Sequence, residues 1–311
     1  MESATEEDAM SDLTDLGLRP LRTGKVRELF DVDGSHLLMV ASDRISAFDV
    51  VMNEPIPDKG RVLTAMTAFW NTELGGIAPQ SLVSCDPAVI DEVVPGFLEL
   101  SEHHGRTMLV RTAEMLNLEC IVRGRLAGQA WEEYREQGTI HHMAAPKGLR
   151  LAEALPEPMF TPSTKAGEGH DLNISIAEAE KIVGHARLSE AMDMCLGLFR
   201  AAAARCDEAG FILADTKFEL GIVDGQLVLC DEVVTPDSSR LWPRDAVVLG
   251  ETPPAFDKQP FRDWLAAQAW DRTPPPPRVP EEVVEITAKR YRDAYERVTS
   301  KSLAEWYGRS S

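Results

Sequence analysis

The chain is short of bases, has no pair of cysteines at metal or redox spacing, and contains no long apolar run. Lys and Arg total 32 against 51 Asp and Glu, a formal net charge of −19 over 311 residues. A broad nucleic-acid surface must neutralise phosphates with an excess of Lys and Arg, so that class of partner is not expected. A small anionic substrate in a local basic cleft remains compatible with an acidic protein. No stretch approaches the roughly 18 apolar residues of a membrane span. The opening run MESATEEDAMSDLTDL is acidic and lacks an apolar centre, which does not fit a signal peptide. The five cysteines (Cys85, Cys120, Cys195, Cys206 and Cys230) are odd in number and none forms a CxxC pair. Free buried thiols in a reducing cytoplasm are the expectation. The composition also excludes a collagen, a low-complexity chain and a small disulfide scaffold.

Several signatures of catalysis are missing too. RTGKVRELF places Gly24, Lys25 and Arg27 before a strand-like segment, but the GxxxxGK[ST] spacing of a Walker loop is absent. Gly167–Asn173, GEGHDLN, comes near GxGxxG, yet Leu172 fills the third glycine position and no strand precedes it. There is no GxSxG elbow and no cysteine in a reactive-thiol motif. His103-His104 and His141-His142 are adjacent pairs; neighbours point apart on a strand and do not share a helical face, so neither pair predicts a metal site. No internal repeat is visible.

What is present is enough apolar residue, 44%, to build a sizeable core, over a length that suits two domains or two lobes. Residues 1–18 carry six acids and no base and read as a mobile or lightly docked tail. Ser35–Ser42, Met108–Thr112 and Glu119–Arg123 read as strands. Val62, Met66, Phe69, Trp70 and Leu74 recur at helical spacing over 61–74, with Gly60 just before them. Gln129–Gln137 reads as a short helix closed by Gly138. Residues 144–172 read as irregular and, at that length, functional or disordered. Ser175 and Glu178 form a capping-box signal. A helix from about Ser189 to Ala209 follows, then a strand Phe211–Asp215 and a hairpin turning at Asp224-Gly225. Pro274–Pro277 form a stiff spacer before a helix over about 281–298. Strands come in groups rather than alternating with helices, which favours an α+β fold over a doubly wound sheet.

The hairpin carries the most chemistry. Asp215, Lys217 and Glu219 lie at i, i+2 and i+4 and so share one face of a strand. On an isolated hairpin, such a stripe reads first as a solvated face with a surface ion pair. The second strand ends in Asp231-Glu232, which changes that balance. A two-residue turn sets Glu219 opposite Cys230 and Lys217 opposite Glu232; a bulged three-residue register sets Glu219 opposite Asp231. Either brings carboxylates together, a pattern suited to a hard divalent cation such as Mg2+. In the following turn, Asp237, Ser238, Ser239 and Arg240 fit either an ordinary capping turn or a phosphate grip, with Arg240 as a two-pronged donor.

Together these segments resemble the SAICAR synthetase family: GKVRELF (24–30), residues 41–70 around SDRISAFD, ECIVRGRLAGQAWEEY (119–134), PEPMFTPSTKAGEGHDLNIS (156–175), ILADTKFELG (212–221) and LCDEVVTPDSSRLWP (229–243). They keep the family's order over about 20–245. The resemblance implies a two-lobed α+β fold: an antiparallel-sheet N-lobe like that of kinases and a larger lobe related to ATP-grasp enzymes, with ATP in the cleft. It divides the chain into the tail 1–18, an ATP-binding lobe 19–115 and a lobe 116–311 with the substrate and metal sites. It implies a cytoplasmic ligase that uses ATP and Mg2+ to join L-aspartate to carboxyaminoimidazole ribotide (CAIR). Small-molecule substrates are implied, with no obligate protein partner. Carried over by motif, Gly24, Lys25 and Arg27 lie over the ATP phosphates and the backbone of 111–118 meets adenine. Glu219 and Asp231 hold Mg2+, which favours the bulged register, and Lys217 neutralises phosphate charge. Asp215, Arg123 and Arg240 surround the ribotide, with Asp237 and Ser239 beside them. Ser46 and Asp49 border the ribotide or aspartate pocket, while Lys165, Asp171 and Asn173 contact ATP or aspartate.

Two positions depart from the family's pattern. The chain reads RGRLAGQAW where many relatives read RGYLTGSAW, so Gln129 stands in place of a ribotide-contacting serine and Arg125 in place of a tyrosine. Two other readings compete: a small-molecule kinase on a related fold, which would turn over ATP without aspartate, and an inactive binding protein, against which the intact charged residues argue.

Overall fold

The computed structural model describes residues 12–165, 171–256 and 258–307. In chain order the strands are β1 (Arg19–Thr23), β2 (Arg27–Asp31), β3 (His36–Ala41), β4 (Ser46–Ala47), β5 (Val50–Val51), β6 (Leu82–Ser84), β7 (Thr107–Arg111), β8 (Glu114–Met115), β9 (Cys120–Arg125), β10 (Thr139–Ile140), β11 (Met143–Ala144), β12 (Ala154–Phe160), β13 (Phe211–Val223), β14 (Gln226–Cys230) and β15 (Ser239–Pro243). The longer helices are α1 (Lys59–Leu74), α2 (Pro87–Val93), α3 (Gly128–Gln137), α4 (Ile176–Val183), α5 (His185–Glu208), α6 (Gln259–Ala266) and α7 (Glu281–Thr299). The class is α+β, with antiparallel sheets.

The chain forms two compact units. One comprises 1–69, 81–112 and 260–311, the other 70–80 and 113–259. The expected boundary near 115 therefore has a counterpart at Thr112, but the division is not a single cut. The expected second lobe, 116–311, loses its last part because the C-terminal helices share a core with the first unit. Ile45, Ala47, Val50, Met52 and Ile56 pack with Phe261, Leu265, Val279 and Ala288 in one apolar cluster. Burying those side chains offers far more than leaving α6 and α7 solvated.

In the first unit the sheet order is β1-β2-β3-β7-β6. Its inner face supplies Phe30, Leu38, Val40 and Leu109 to a cluster with Ile90, Val94 and Phe97. Leu13 and Leu18 complete that cluster, so the acidic segment read as mobile or lightly docked is docked over 12–18; its first eleven residues lie outside the described ones. Helix α1 starts at Lys59, two residues before the expected start, and takes in Gly60. A Cβ at Gly60 would lie 2.2 Å from the Ala41 carbonyl oxygen and 3.2 Å from that of Ser42. Only glycine lets the first turn of the helix approach the end of β3.

In the second unit β13 is the axis. Its first half pairs with β9 and β15, its second half with β14 and β8. The expected short strand and hairpin arm are thus one 13-residue strand. The turn is the two-residue type, Val223 opposite Gln226 and Glu219 opposite Cys230. The bulged register that the resemblance favoured is not adopted, because Asp224 and Gly225 both take positive φ and close the tight turn alone. Helix α5 covers the sheet with Leu188, Ala191, Cys195, Leu198, Phe199, Ala202 and Cys206, a continuous three- and four-residue stripe. It begins at His185 rather than Ser189. The stretch expected to be irregular, 144–172, contains β12, which pairs with β9 through Ala154, Met159 and Phe160. Pro156 and Pro158 have no N–H to give, so the pairing is broken between Ala154 and Met159 and the strand stays at the edge. Part of that stretch, 166–170, lies outside the described residues, as does most of the GEGHDLN segment. All five cysteines are buried and none is in a disulfide. Among the described residues no helix is long and apolar enough to cross a membrane.

The Gly60 contact gives a direct test. Gly60→Ala is expected to destabilise the protein by about 3 kcal/mol, the scale of overpacking where only backbone can yield. A fall in the thermal midpoint of the purified variant checks this; an unchanged midpoint would show that α1 can step back from β3.

Candidate active site

Alternation along β13 sets Asp215, Lys217 and Glu219 on one face, and the neighbouring strands complete two charged groups there. In the first, Asp215 pairs across the sheet with Arg123 on β9 and with Arg240 on β15. Arg123 Nη1 donates to Asp215 Oδ2 at 2.9 Å, and Arg240 Nη1 donates to Oδ1 at 2.9 Å and Oδ2 at 2.7 Å. Arg123 and Asp215 are buried, and Arg240 keeps 28% of its side chain exposed. Burial pulls the Arg123 guanidinium below its ordinary pKa while the Asp215 charge opposes the shift. Arg240 thus has the exposed edge, with Arg123 and Asp215 holding it from behind.

The second group contains a residue the sequence reading did not single out. Lys217 Nζ lies 2.8 Å from Glu219 Oε1 and 2.8 Å from Glu119 Oε2. Lys165 contacts Glu219 Oε2 and lies 3.9 Å from Glu119 Oε1. Both carboxylates are buried. Burial pushes Glu119 up; Lys217 opposes this and the Glu219 charge adds to it, leaving a raised pKa. Glu219 is also pushed up by burial, but Lys217 and Lys165 outweigh that and hold it low. Lys217 is pulled down by burial, but Glu219 and Glu119 raise it above the ordinary lysine value. Phe218 pairs with Cys120, so Glu119 is the next position across, opposite Glu219. Asp231 follows the last β14 pair, half-buried and at φ 55°.

The remaining expected residues divide. Ser239 and Arg240 lie in β15 rather than in a turn. Ser239 Oγ is 2.7 Å from Thr216 Oγ1, and Asp237 Oδ2 is 3.0 Å from Lys258 Nζ. Gln129 is exposed, beside Gly128 at the start of α3. Arg125 is half-buried, its Nη1 3.5 Å from the Ala152 carbonyl. A Cβ at Gly128, which has φ +55°, would lie 2.5 Å from Arg240 Nη2, so a glycine there leaves room for the guanidinium. A cavity of about 280 Å3 opens beside Arg240, between Gly128, Trp131 and Trp242. Asp171 is exposed. Asn173 Nδ2 donates to Glu133 Oε2 at 3.2 Å.

In the first unit, Gly24 closes the β1–β2 turn by donating to the Arg27 carbonyl at 2.7 Å. Lys25 Nζ lies 2.5 Å from Asp49 Oδ1. Asp49 and Phe48 form the two-residue turn between β4, which starts at Ser46, and β5; both have positive φ. Arg44, within the SDRISAFD segment, donates to the carbonyls of Lys25 and Gly24 at 3.1 and 3.3 Å and to Glu28 Oε1 at 3.1 Å.

His141, which the sequence offers only as half of a rejected metal pair, has a defined place in the fold. It is fully buried. Its Nδ1 lies 2.8 Å from the Pro162 carbonyl and its Nε2 3.4 Å from Arg123 Nη2. Burial and the neighbouring Arg123 lower its pKa from 6.5 to about 4, against smaller opposing effects of the Pro162 carbonyl and Glu133. Unfolded chains therefore take up a proton near pH 6.5 that the folded protein refuses until about pH 4, so stability falls as pH drops through that window. The full effect is about 3 kcal/mol. Denaturant titrations of wild type and His141→Gln at pH 7 and pH 4.5 are expected to show a smaller acid loss in the variant. Identical losses would mean that His141 titrates normally in the fold.

The profile of the SAICAR synthetase family matches residues 20–277. Phosphoribosylaminoimidazole-succinocarboxamide synthase of Syntrophobacter fumaroxidans is 46% identical over 288 residues, covering 92% of this chain and 95% of that protein. The protein of the same name from Saccharopolyspora erythraea is 49% identical over 293 residues, again covering 92% and 95%. Among solved structures, SAICAR synthase from Saccharomyces cerevisiae complexed with SAICAR aligns with a TM-score of 0.85 at 38% identity, covering 92% of this chain and 96% of that one. With the profile match, the relatives and the structural likeness in agreement, the chain belongs to the SAICAR synthetase family.

Proposed function

We propose that this chain is the ATP-dependent ligase that joins the amine of L-aspartate to the carboxylate of CAIR, giving SAICAR, ADP and phosphate in cytoplasmic purine biosynthesis. A carboxylate is a poor electrophile because it has no good leaving group. Transfer of the γ-phosphoryl group of ATP to it gives an acyl phosphate and ADP. Attack by the aspartate amine then forms the amide and releases phosphate. Such chemistry needs positioning and charge neutralisation rather than a protein nucleophile.

The observation that carries this reading is the pair of charged groups on one face of β13. The Arg123–Asp215–Arg240 group supports an anionic ribotide, with the exposed edge of Arg240 on its phosphate and the adjacent cavity taking the ribose. Gln129, Asp237 and Ser239 are assigned to the edge of that subsite by motif alone. The buried Glu119 and Glu219, which Lys217 and Lys165 hold together, offer oxygen ligands that suit a hard cation, and Asp231 is assigned to the same ion by motif. Mg2+ held by Glu219 and Asp231 would supply neutralisation of phosphate oxygens. Lys217 and Lys165 add positive charge to the nucleotide phosphates. Lys25, Arg27 and Gly24 are assigned to phosphate binding in the first unit, where Arg44 fixes the turn that presents them. Ser46, Asp49, Asp171 and Asn173 are assigned to the aspartate and ribotide pockets.

ADP release measured with Mg-ATP, CAIR and L-aspartate, each omitted in turn, tests the activity. Release is expected only when all three are present. Release without aspartate, with a stable phosphorylated product, would move the protein to the kinase reading. Glu219→Ala is expected to abolish turnover, and near-normal kcat at saturating Mg2+ would remove Glu219 from the metal site. Arg240→Ala is expected to raise KM for CAIR far more than KM for ATP; equal effects would take Arg240 off the ribotide.

A further inference from the structure

His141 stands outside every role assigned so far, yet its ring is fixed at both nitrogens. A guanidinium can only donate, so the contact from Arg123 Nη2 makes Nε2 the acceptor. Nδ1 must then carry the proton and donate it to the Pro162 carbonyl. The ring is neutral and held as one tautomer. Its backbone is held as well: Glu133 Oε2 accepts from the His141 N–H at 3.0 Å, and Oε1 accepts from the His142 N–H at 2.7 Å and from Thr139 Oγ1 at 2.7 Å. Glu133 is a buried carboxylate whose acceptor capacity goes into shaping this turn, in which His141 and His142 both take positive φ.

The chain of contacts runs in one direction. Glu133 fixes the turn, the turn fixes His141, and His141 takes one arm of the Arg123 guanidinium. The other arm reaches Asp215, whose two oxygens receive Arg240. Without an acceptor at the His141 Nε2 position, the buried Nη2 of Arg123 loses its partner there and the guanidinium is free to rotate away from Asp215. We propose that His141 is a positioning residue for ribotide binding, acting through Arg123 and Asp215 to set the orientation of Arg240. This rests on the assignment of Arg240 to the ribotide.

Two substitutions separate the acceptor from the fold. His141→Asn keeps a donor near the Nδ1 position but offers no acceptor as far out as Nε2. His141→Gln places an amide oxygen near Nε2. The backbone favours the opposite order, because Asn accepts the left-handed conformation at φ +48° more readily than Gln. A better outcome for Gln than for Asn therefore reports the acceptor and not backbone strain. With wild type and both variants assayed for ADP release, His141→Asn is expected to raise KM for CAIR about tenfold, the scale of one hydrogen bond to a charged group. KM for ATP and for aspartate should stay within about twofold, and His141→Gln should lie closer to wild type. A normal CAIR KM in His141→Asn, or a parallel rise in all three constants, overturns the positioning role. Wild-type ADP release that does not depend on CAIR would instead overturn the ligase assignment, so the two failures are distinct.

Discussion

Charge buried on a sheet must be answered within the sheet, and that constraint organises the second unit. Strand β13 carries an acid, a base and an acid on one face, all of them wholly or half out of water. An isolated ion in that setting would cost several kcal/mol. Each is instead met by a neighbour: Asp215 by two guanidiniums, Lys217 by two carboxylates, and Glu219 by two ammonium groups. The partners come from β9, from β15 and from the segment around Lys165, so the site cannot form until strands distant in sequence have paired. The antiparallel ladder is therefore part of the chemistry, since a slip by one residue would turn every charged side chain to the other face.

The period-two stripe was readable because strand alternation needs only one residue in every two. The helices α1, α5 and α7 were readable from apolar spacing, and the capping box at Ser175 appears as expected. What escaped the sequence was pairing between distant segments. Glu119 has no local signal; it becomes significant only opposite Glu219. His141 read as half of a failed metal pair, and its ring turned out to serve an arginine. Lys258, which meets Asp237, lies far beyond the motif that drew attention to Asp237. The register of the hairpin shows the reverse error. The sequence is compatible with both registers, and the resemblance, by placing Glu219 and Asp231 on one ion, favoured the bulge, whereas Asp224-Gly225 closes the tight turn.

The packing of the C-terminal helices with the segment 45–56 has a consequence for how the protein is made. The second unit is finished once residue 259 has been synthesised, whereas the first, begun earlier, still lacks Phe261, Leu265, Val279 and Ala288 from its apolar cluster. On the ribosome the later unit therefore has its complete set of parts first. The earlier one waits with an open apolar face until the segment from Phe261 to Ala288 emerges. A chain truncated near residue 260 would retain every charged side chain on β13 and still leave the opening half of the protein without its closing helices.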